Sequence, residues 1–435
     1  MKTHTLGKTV AAAAAALVLM NSAPAARVDV YPQSFEPGGW SLDAQFMDVT
    51  GFDGRCAGIS FVSTDTKAEP AAPGDLDLAS MMQPLPATAV MREPGYFVWG
   101  GSMAKGDDST YHLYYSRWKK EFTFNGWASH SEIAHATAPS AFGPWTHRDV
   151  ALPKRGAAFW DGMCTHNPCV RKFGGRYYLY YMGNTGDGKV VKGLNWTHRN
   201  NQRIGVAVAD SPDGPWKRFD KPLVDASPDK DAPDSLMVSN PAITQRPDGT
   251  YVMLYKAVGR KRPLPFGGPV VHLAATATSP EGPFAKNFSP LFTDGKANFP
   301  AEDPCLFTLS GKVYAVIKDQ NGHFVAKKGR SLVLFEEDGR GGWKPAEHPF
   351  VTGTELRRVS GEIERLEYLE RPQIYIEDGK PVALLCAAGP LGMKDSFNVQ
   401  IPLALPPPDA PVGVLKADGS KGTDNGAPSK TWLDL

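Results

Sequence analysis

One short pattern is written five times along this 435-residue chain. A polar pair and a proline lead into a strand-like run, then a glycine turn, then an aromatic strand. The pattern reads HNPCVRKFGGRYYLYYMG from His166, SNPAITQRPDGTYVMLYKA from Ser239, EDPCLFTLSGKVYAVIKD from Glu302 and ERPQIYIEDGKPVALLCAA from Glu370. A copy with a longer turn, REPGYFVWGGSMAKGDDSTYHLYYSR, starts at Arg92, so the marker prolines are Pro94, Pro168, Pro241, Pro304 and Pro372. A second element alternates with the first: IAHATAPSAFGPW from Ile133, IGVAVADSPDGPW from Ile204, HLAATATSPEGPF from His272 and, more weakly, SLVLFEEDGRGGW from Ser331. Period-two runs separated by glycine turns are the signature of antiparallel strands. Each unit therefore holds at least three strands, and sheets of that size cannot bury both faces alone. Stacked radially, they close a ring that also protects their edges. The expected fold is all-β, a single five-bladed β-propeller over residues 85–405, in preference to a sandwich or solenoid. The last blade lacks a clear second element. Phe397–Leu403 supplies one strand there, and Gly39–Val49 is expected to return and complete the blade.

Composition agrees with a turn-rich globular chain: Gly 44, Pro 38, 42% apolar and 21% charged residues. With 47 basic against 46 acidic residues, nothing favours a nucleic-acid partner or a membrane surface. Residues 1–25 carry Lys2 and Lys8, an apolar stretch from Val10 to Met20 and the small-x-small site Ala23-Pro24-Ala25. That is the layout of a signal peptide, so the mature protein is expected in the periplasm or secreted. Losing two lysines takes the net charge from +1 to −1. Residues 26–84 form an N-terminal extension, 62–90 read as a linker or loop that runs on to the first blade, and 406–435 form a C-terminal tail. The five cysteines (Cys56, Cys164, Cys169, Cys305, Cys386) have no zinc spacing and make no disulfide framework, with a single Cys164–Cys169 bridge left open. No metal site and no cofactor are expected, although a structural calcium in the channel stays open.

In a propeller the innermost strand of each blade borders the central channel, so the pairs before the marker prolines should meet at one mouth. They are Arg92-Glu93, His166-Asn167, Ser239-Asn240, Glu302-Asp303 and Glu370-Arg371. They vary from copy to copy while the framework persists, as expected of a pocket on a repeated scaffold. Arg117 and Lys256 end second strands near the same mouth, and Arg260, Lys261 and Arg262 sit in a nearby loop. Arginine forks suit carboxylate or sulfate groups, so an anionic sugar is one reading and a solvated loop the other. Trp99, Trp127 and Trp160 suit either sugar stacking or core packing, while Tyr178, Tyr181, Tyr251 and Tyr255 read as blade packing.

The acidic-Pro strand starts together with the SPDGPW and SPEGPF turns resemble glycoside hydrolase family 43 and its five-bladed relatives, families 62 and 117, over most of the chain. The resemblance implies an axial pocket into which different blades project a carboxylate base, a supporting carboxylate and a general acid. On that pattern Glu93 matches the position of a base, Asp161 a supporting carboxylate and Glu302 a general acid. Asn167 and Asn240 stand where a carboxylate is expected, and His166 leaves open a histidine acid. The implied activity is glycoside hydrolysis of a poly- or oligosaccharide; a propeller funnel closed at depth points to action at a chain end, and the basic residues keep an anionic sugar among the candidates. Glu302 is then the acid, Glu93 or Asp161 the base and Asp303 an orienting support. The carbohydrate would also meet Arg92, Arg117, His166, Asn167, Asn240, Lys256, Glu370 and Arg371. A carbohydrate-binding propeller without catalysis and a phosphorolytic enzyme of related shape are the alternatives.

Overall fold

The computed structural model describes residues 75–404, apart from 294, 326–328 and 340. The proposed signal peptide, the segment Gly39–Val49, Cys56 and the C-terminal tail lie outside the described residues. Five antiparallel sheets follow one another along the chain, four of them with four strands in simple sequential order. These are blades I to IV. Their innermost strands are Tyr96–Lys105, Cys164–Phe173, Met237–Gln245 and Ala301–Leu309. Blade V is built on Ile363–Glu377, Lys380–Pro390 and Phe397–Pro402.

Blade V is completed by a two-residue strand from the other end of the chain. Val90 and Met91 pair antiparallel with Val399 and Asn398, at the edge left open by Phe397–Pro402. The position expected for Gly39–Val49 is thus taken by residues just before blade I. The stretch before it is correspondingly not a free linker. Leu78–Met81 forms a helical turn capped by Asp77, whose Oδ1 accepts from the Ser80 amide at 3.1 Å. Leu78, Leu85 and Ala89 are buried against blades IV and V.

Each blade is apolar on both faces because each packs between two others. Among the described residues, one apolar cluster fills each junction. Val170, Leu179 and Ala207 of blade II meet Tyr114 and Ile133 of blade I, and Val98 and Leu113 of blade I meet Met91, Leu385 and Ala383 of blade V across the closing junction. The serine-glycine-proline turns tie the outside of this ring. Ser140, Ser211 and Ser279 Oγ accept amides within their own turns at 3.2 Å, and Gly143, Gly214 and Gly282 take positive φ there. Tyr114 and Tyr180 each donate their hydroxyl to the turn of the next blade, at Pro212 and Pro280. Cys164 and Cys169 are buried thiols on one strand and are not bridged. Among the described residues, no helix is long and apolar enough to cross a membrane.

Candidate active site

The inner strands share a defect that builds the site. Each breaks register with its neighbour at the same place: between Trp99 and Gly101, His166 and Cys169, Ser239 and Ala242, Glu302 and Cys305, Glu370 and Gln373. The residue in the break has positive φ in all five blades: Gly100 (55°), Asn167 (54°), Asn240 (52°), Asp303 (56°) and Arg371 (56°). Glycine, asparagine and aspartate tolerate that conformation best. Proline is accommodated next to it because the ladder needs no amide at a bulge.

The bulge overrides the strict alternation of a strand, so consecutive side chains both reach the channel. His166 and Asn167, Glu302 and Asp303, Glu370 and Arg371 all line one cavity. On a regular strand one member of each pair would turn away. The shared bulge also identifies the true blade I counterparts as Trp99-Gly100, with Gly101 where the other blades have proline. Pro94, in the copy starting at Arg92, is therefore not the equivalent of the other marker prolines.

The side chains in the bulges form a belt across the axis. Asn167 Nδ2 donates to Asn240 Oδ1 at 2.8 Å, Asn240 Nδ2 donates to Asp303 Oδ1 at 2.6 Å, and Arg371 Nη1 donates to the same oxygen at 3.0 Å. Gly100 completes the circuit by leaving room: a Cβ there would sit 3.4 Å from Arg371 Cγ and Nε. Arg171, on the inner strand of blade II, bonds across the channel to the carbonyls of Ile243 (3.1 Å) and Leu306 (2.9 Å). The cavity beside the belt encloses about 930 Å³ when the open solvent at its mouth is counted. Its walls are aromatic, with Trp99, Trp118, Phe124, Trp127, Phe299 and Tyr368. Phe124 and Trp127 arrive on the connection between the second and third strands of blade I, and Arg199 on that of blade II. In an antiparallel blade this connection emerges on the face where the inner strand begins.

The electrostatics follow a forward pattern. Lys256 of blade III donates to Glu302 of blade IV at 2.7 Å. Lys318, opposite Glu302 in its own blade, contacts Glu370 of blade V and lies 3.8 Å from Glu302. Gln320 adds a 2.9 Å bond to Glu302 Oε2. Oxygens of Glu302, Asp303 and Glu370 all lie within 4.8 Å of one another. Burial works to raise the Glu302 carboxyl, yet Lys256 and Lys318 outweigh it and hold it down at about 2. Burial raises Glu370 to about 7, with Asp303 and Glu302 adding to it against the pull of Lys318. Burial, then Arg371 and Lys256, push His166 well below its usual value, so it is a neutral imidazole. Its Nδ1 lies 2.7 Å from Ser131 Oγ, and its ring lies between Trp118 and Trp127.

Of the residues expected from sequence, the cavity brings together His166, Asn167, Asn240, Lys256, Glu302, Asp303, Glu370 and Arg371. Glu93, Asp161, Arg92 and Arg117 do not line it. Glu93 lies outside the bulge and pairs with Arg117 while accepting from Tyr115 Oη at 2.8 Å. Arg117 also holds Glu132 at 3.0 Å. Asp161 is wholly buried within blade II, held by Arg155 Nε (2.6 Å), Tyr181 Oη (2.6 Å) and Arg218 Nη1 (3.4 Å). Arg92 is half exposed, bonded to Asp395 at 2.6 Å and stacked on Phe397. Trp160 packs on Tyr181 and leaves the wall to Trp99 and Trp127. Lys318, which pairs with the cavity residue Glu370, and Arg199, which lines the cavity itself, escape the sequence reading. Lys318 is accessible to the repeat logic, since VIKD aligns with the LYKA that carries Lys256. Arg199 lies in an insertion with no repeat counterpart.

Among the described residues, two groups have donor sets that suit a metal. Glu302, Asp303 and Glu370 converge, but each already holds an ammonium or guanidinium that a cation would have to displace. His112, His135 and Asp213 converge at the junction of blades I and II, with His112 Nδ1 2.9 Å from His135 Nε2.

No family model and no curated protein matches the chain. Solved structures do. Zg3597, a family 117 glycoside hydrolase of the marine bacterium Zobellia galactanivorans, aligns with a TM-score of 0.51 at 16% identity over 74% of this chain and 90% of its own. A complex of BT0996 with RGII aligns with a TM-score of 0.56 at 13% identity, over 76% and 93%. A structure described as a glycoside hydrolase gives 0.54 at 13%, over 77% and 96%. At these identities the likeness is one of architecture: the chain shares the five-bladed β-propeller of structures described as glycoside hydrolases.

Proposed function

We propose that the protein is an exported glycoside hydrolase that works on the end of an oligo- or polysaccharide chain, with Glu370 as proton donor and Glu302 as its ionised partner. The observation that carries the reading is the pairing of two buried carboxyls from adjacent blades under an aromatic wall, one poised near neutrality and the other held charged. Glycosidic cleavage needs that division between a protonated acid and an ionised carboxylate. Export rests on the pattern of residues 1–25. Action at a chain end rests on the belt and Arg171, which close the channel beneath the cavity. A retaining course uses carboxyls about 5–5.5 Å apart and an inverting one about 6.5–9.5 Å.

The test is a panel of plant and algal oligosaccharides read by product chromatography. Glu370→Gln and Glu302→Gln should each lower turnover by about 10²–10⁴-fold. The anomeric form of the first product, followed by NMR, checks the course. A second reading has its own support: of the five bulge positions only Asp303 is acidic, and it is committed to the belt. If the wild-type protein binds sugars from the panel and releases none, the chain is a carbohydrate-binding propeller.

A further inference from the structure

Among the described residues, the charges around the cavity pair off, with a single cation left over. Lys256 takes Glu302 between blades III and IV, and Lys318 takes Glu370 and Arg371 takes Asp303 between blades IV and V. Arg199 is buried, lines the same cavity and makes no ion pair among the described residues. Its Nη1 is used up on the carbonyl of Phe266 (2.7 Å) and on Asn200 Oδ1 (2.9 Å). Its guanidinium carbon lies 5.5 Å from the Trp196 ring and 5.2 Å from the Phe266 ring, which fixes its plane. The edge formed by Nε and Nη2 has no partner among the described residues, and that edge is the two-pronged face that matches a carboxylate. Three residues on, Gln202 lines the cavity too, and its buried Nε2 also lacks a partner.

A buried cation without a direct ion-pair partner is costly unless a ligand supplies one. Burial lowers the Arg199 guanidinium only to about 10, with the more distant Glu302 charge acting against it, so it keeps its charge at neutral pH. With Glu370 partly protonated, the positive excess grows.

We propose that Arg199 receives the carboxylate of a uronic acid residue, so that the preferred ligand of the cavity is an acidic sugar at the end of a glycan. The inference rests on the glycan reading above and narrows it to one substrate class. A sulfate ester offers similar charge but a tetrahedral head that fits the flat fork less well, and the experiment separates the two.

The full chain is titrated calorimetrically with galacturonate and glucuronate, the neutral sugars galactose and glucose, and galactose 6-sulfate. Wild type is compared with Arg199→Gln and Arg199→Lys, each first checked for folding by its thermal transition. The expected result is a preference of at least about tenfold for a uronate over its neutral analogue. Arg199→Gln removes that preference and Arg199→Lys keeps part of it. Thermal stability gives a second readout: uronate at about 10 mM raises the transition of wild type and not of Arg199→Gln. A preference for the sulfated sugar over both uronates overturns the carboxylate assignment. Equal binding of neutral and acidic sugars, or a uronate preference that survives Arg199→Gln, overturns the inference and leaves the glycan reading standing. Failure to bind any sugar overturns both.

Discussion

Replacing Glu370 with glutamine should change how stability depends on pH, and the sign of the change tests the electrostatics of the cavity. In the folded protein the carboxyl titrates at about 7, against 4.5 ordinarily. A raised carboxyl contributes stability that is whole below its unfolded pKa and is lost as the pH rises through the folded one. Each tenfold change in proton affinity is worth about 1.36 kcal/mol, so the loss between pH 4.5 and 7 is about 3 kcal/mol. Glutamine has nearly the same shape and does not titrate. Glu302, held at about 2, stays ionised throughout this window. The variant should therefore gain about 3 kcal/mol on the wild type between about pH 4.5 and pH 8. Urea unfolding followed by tryptophan fluorescence at half-unit pH steps measures that difference directly. Parallel curves would refute the argument. A difference that widens the other way would mean that the Lys318 contact, not burial, sets the state of Glu370.

Asp161→Asn should destabilise the fold by about 3 kcal/mol, because it strands Arg155 and Arg218 around a buried neutral group. Since Asp161 does not line the cavity, the folded variant should keep the wild-type kcat and KM, and a selective loss of kcat would restore Asp161 to the chemistry. At the bulge, Asn240→Ala should cost about 2–4 kcal/mol, from three lost buried hydrogen bonds and a positive φ that alanine resists. Asn240→Gly relieves the backbone and should be about 1 kcal/mol more stable than the alanine variant. Chemical denaturation of the pair reads the order, and the reverse order would mean that the backbone there is unstrained.

The repeat carried most of the architecture because the propeller is itself periodic. Strand alternation, glycine turns and the serine-glycine-proline corners recur with the blades, so comparing copies located four inner strands and their polar pairs. Blade I failed where its chemistry departs from the others. Gly100-Gly101 replaces the residue-proline step, and Glu93-Pro94 imitates it a few positions upstream. Nothing local distinguishes the two, because the bulge is a property of pairing with the neighbouring strand. Asp161 is a different case: its surroundings are acidic-friendly for structural reasons, and the arginines that neutralise it are scattered from Arg155 to Arg218. That Glu302 and Asp303 both reach the cavity contradicts ordinary strand alternation and becomes intelligible only with the positive φ at Asp303. Lys318 could have been found by the same comparison that found Lys256. Arg199 could not, since its role depends on where an unrepeated insertion folds.

The short strand Val90–Met91 gives the molecule a seam with a temporal meaning. The blade that carries Glu370 and Arg371 is the last to leave the ribosome, yet its outer edge is filled by residues made before any other blade. A nascent polypeptide therefore has neither the closed hoop nor the completed set of charges until its final strands emerge. Any activity of the cavity is withheld until that last blade is made.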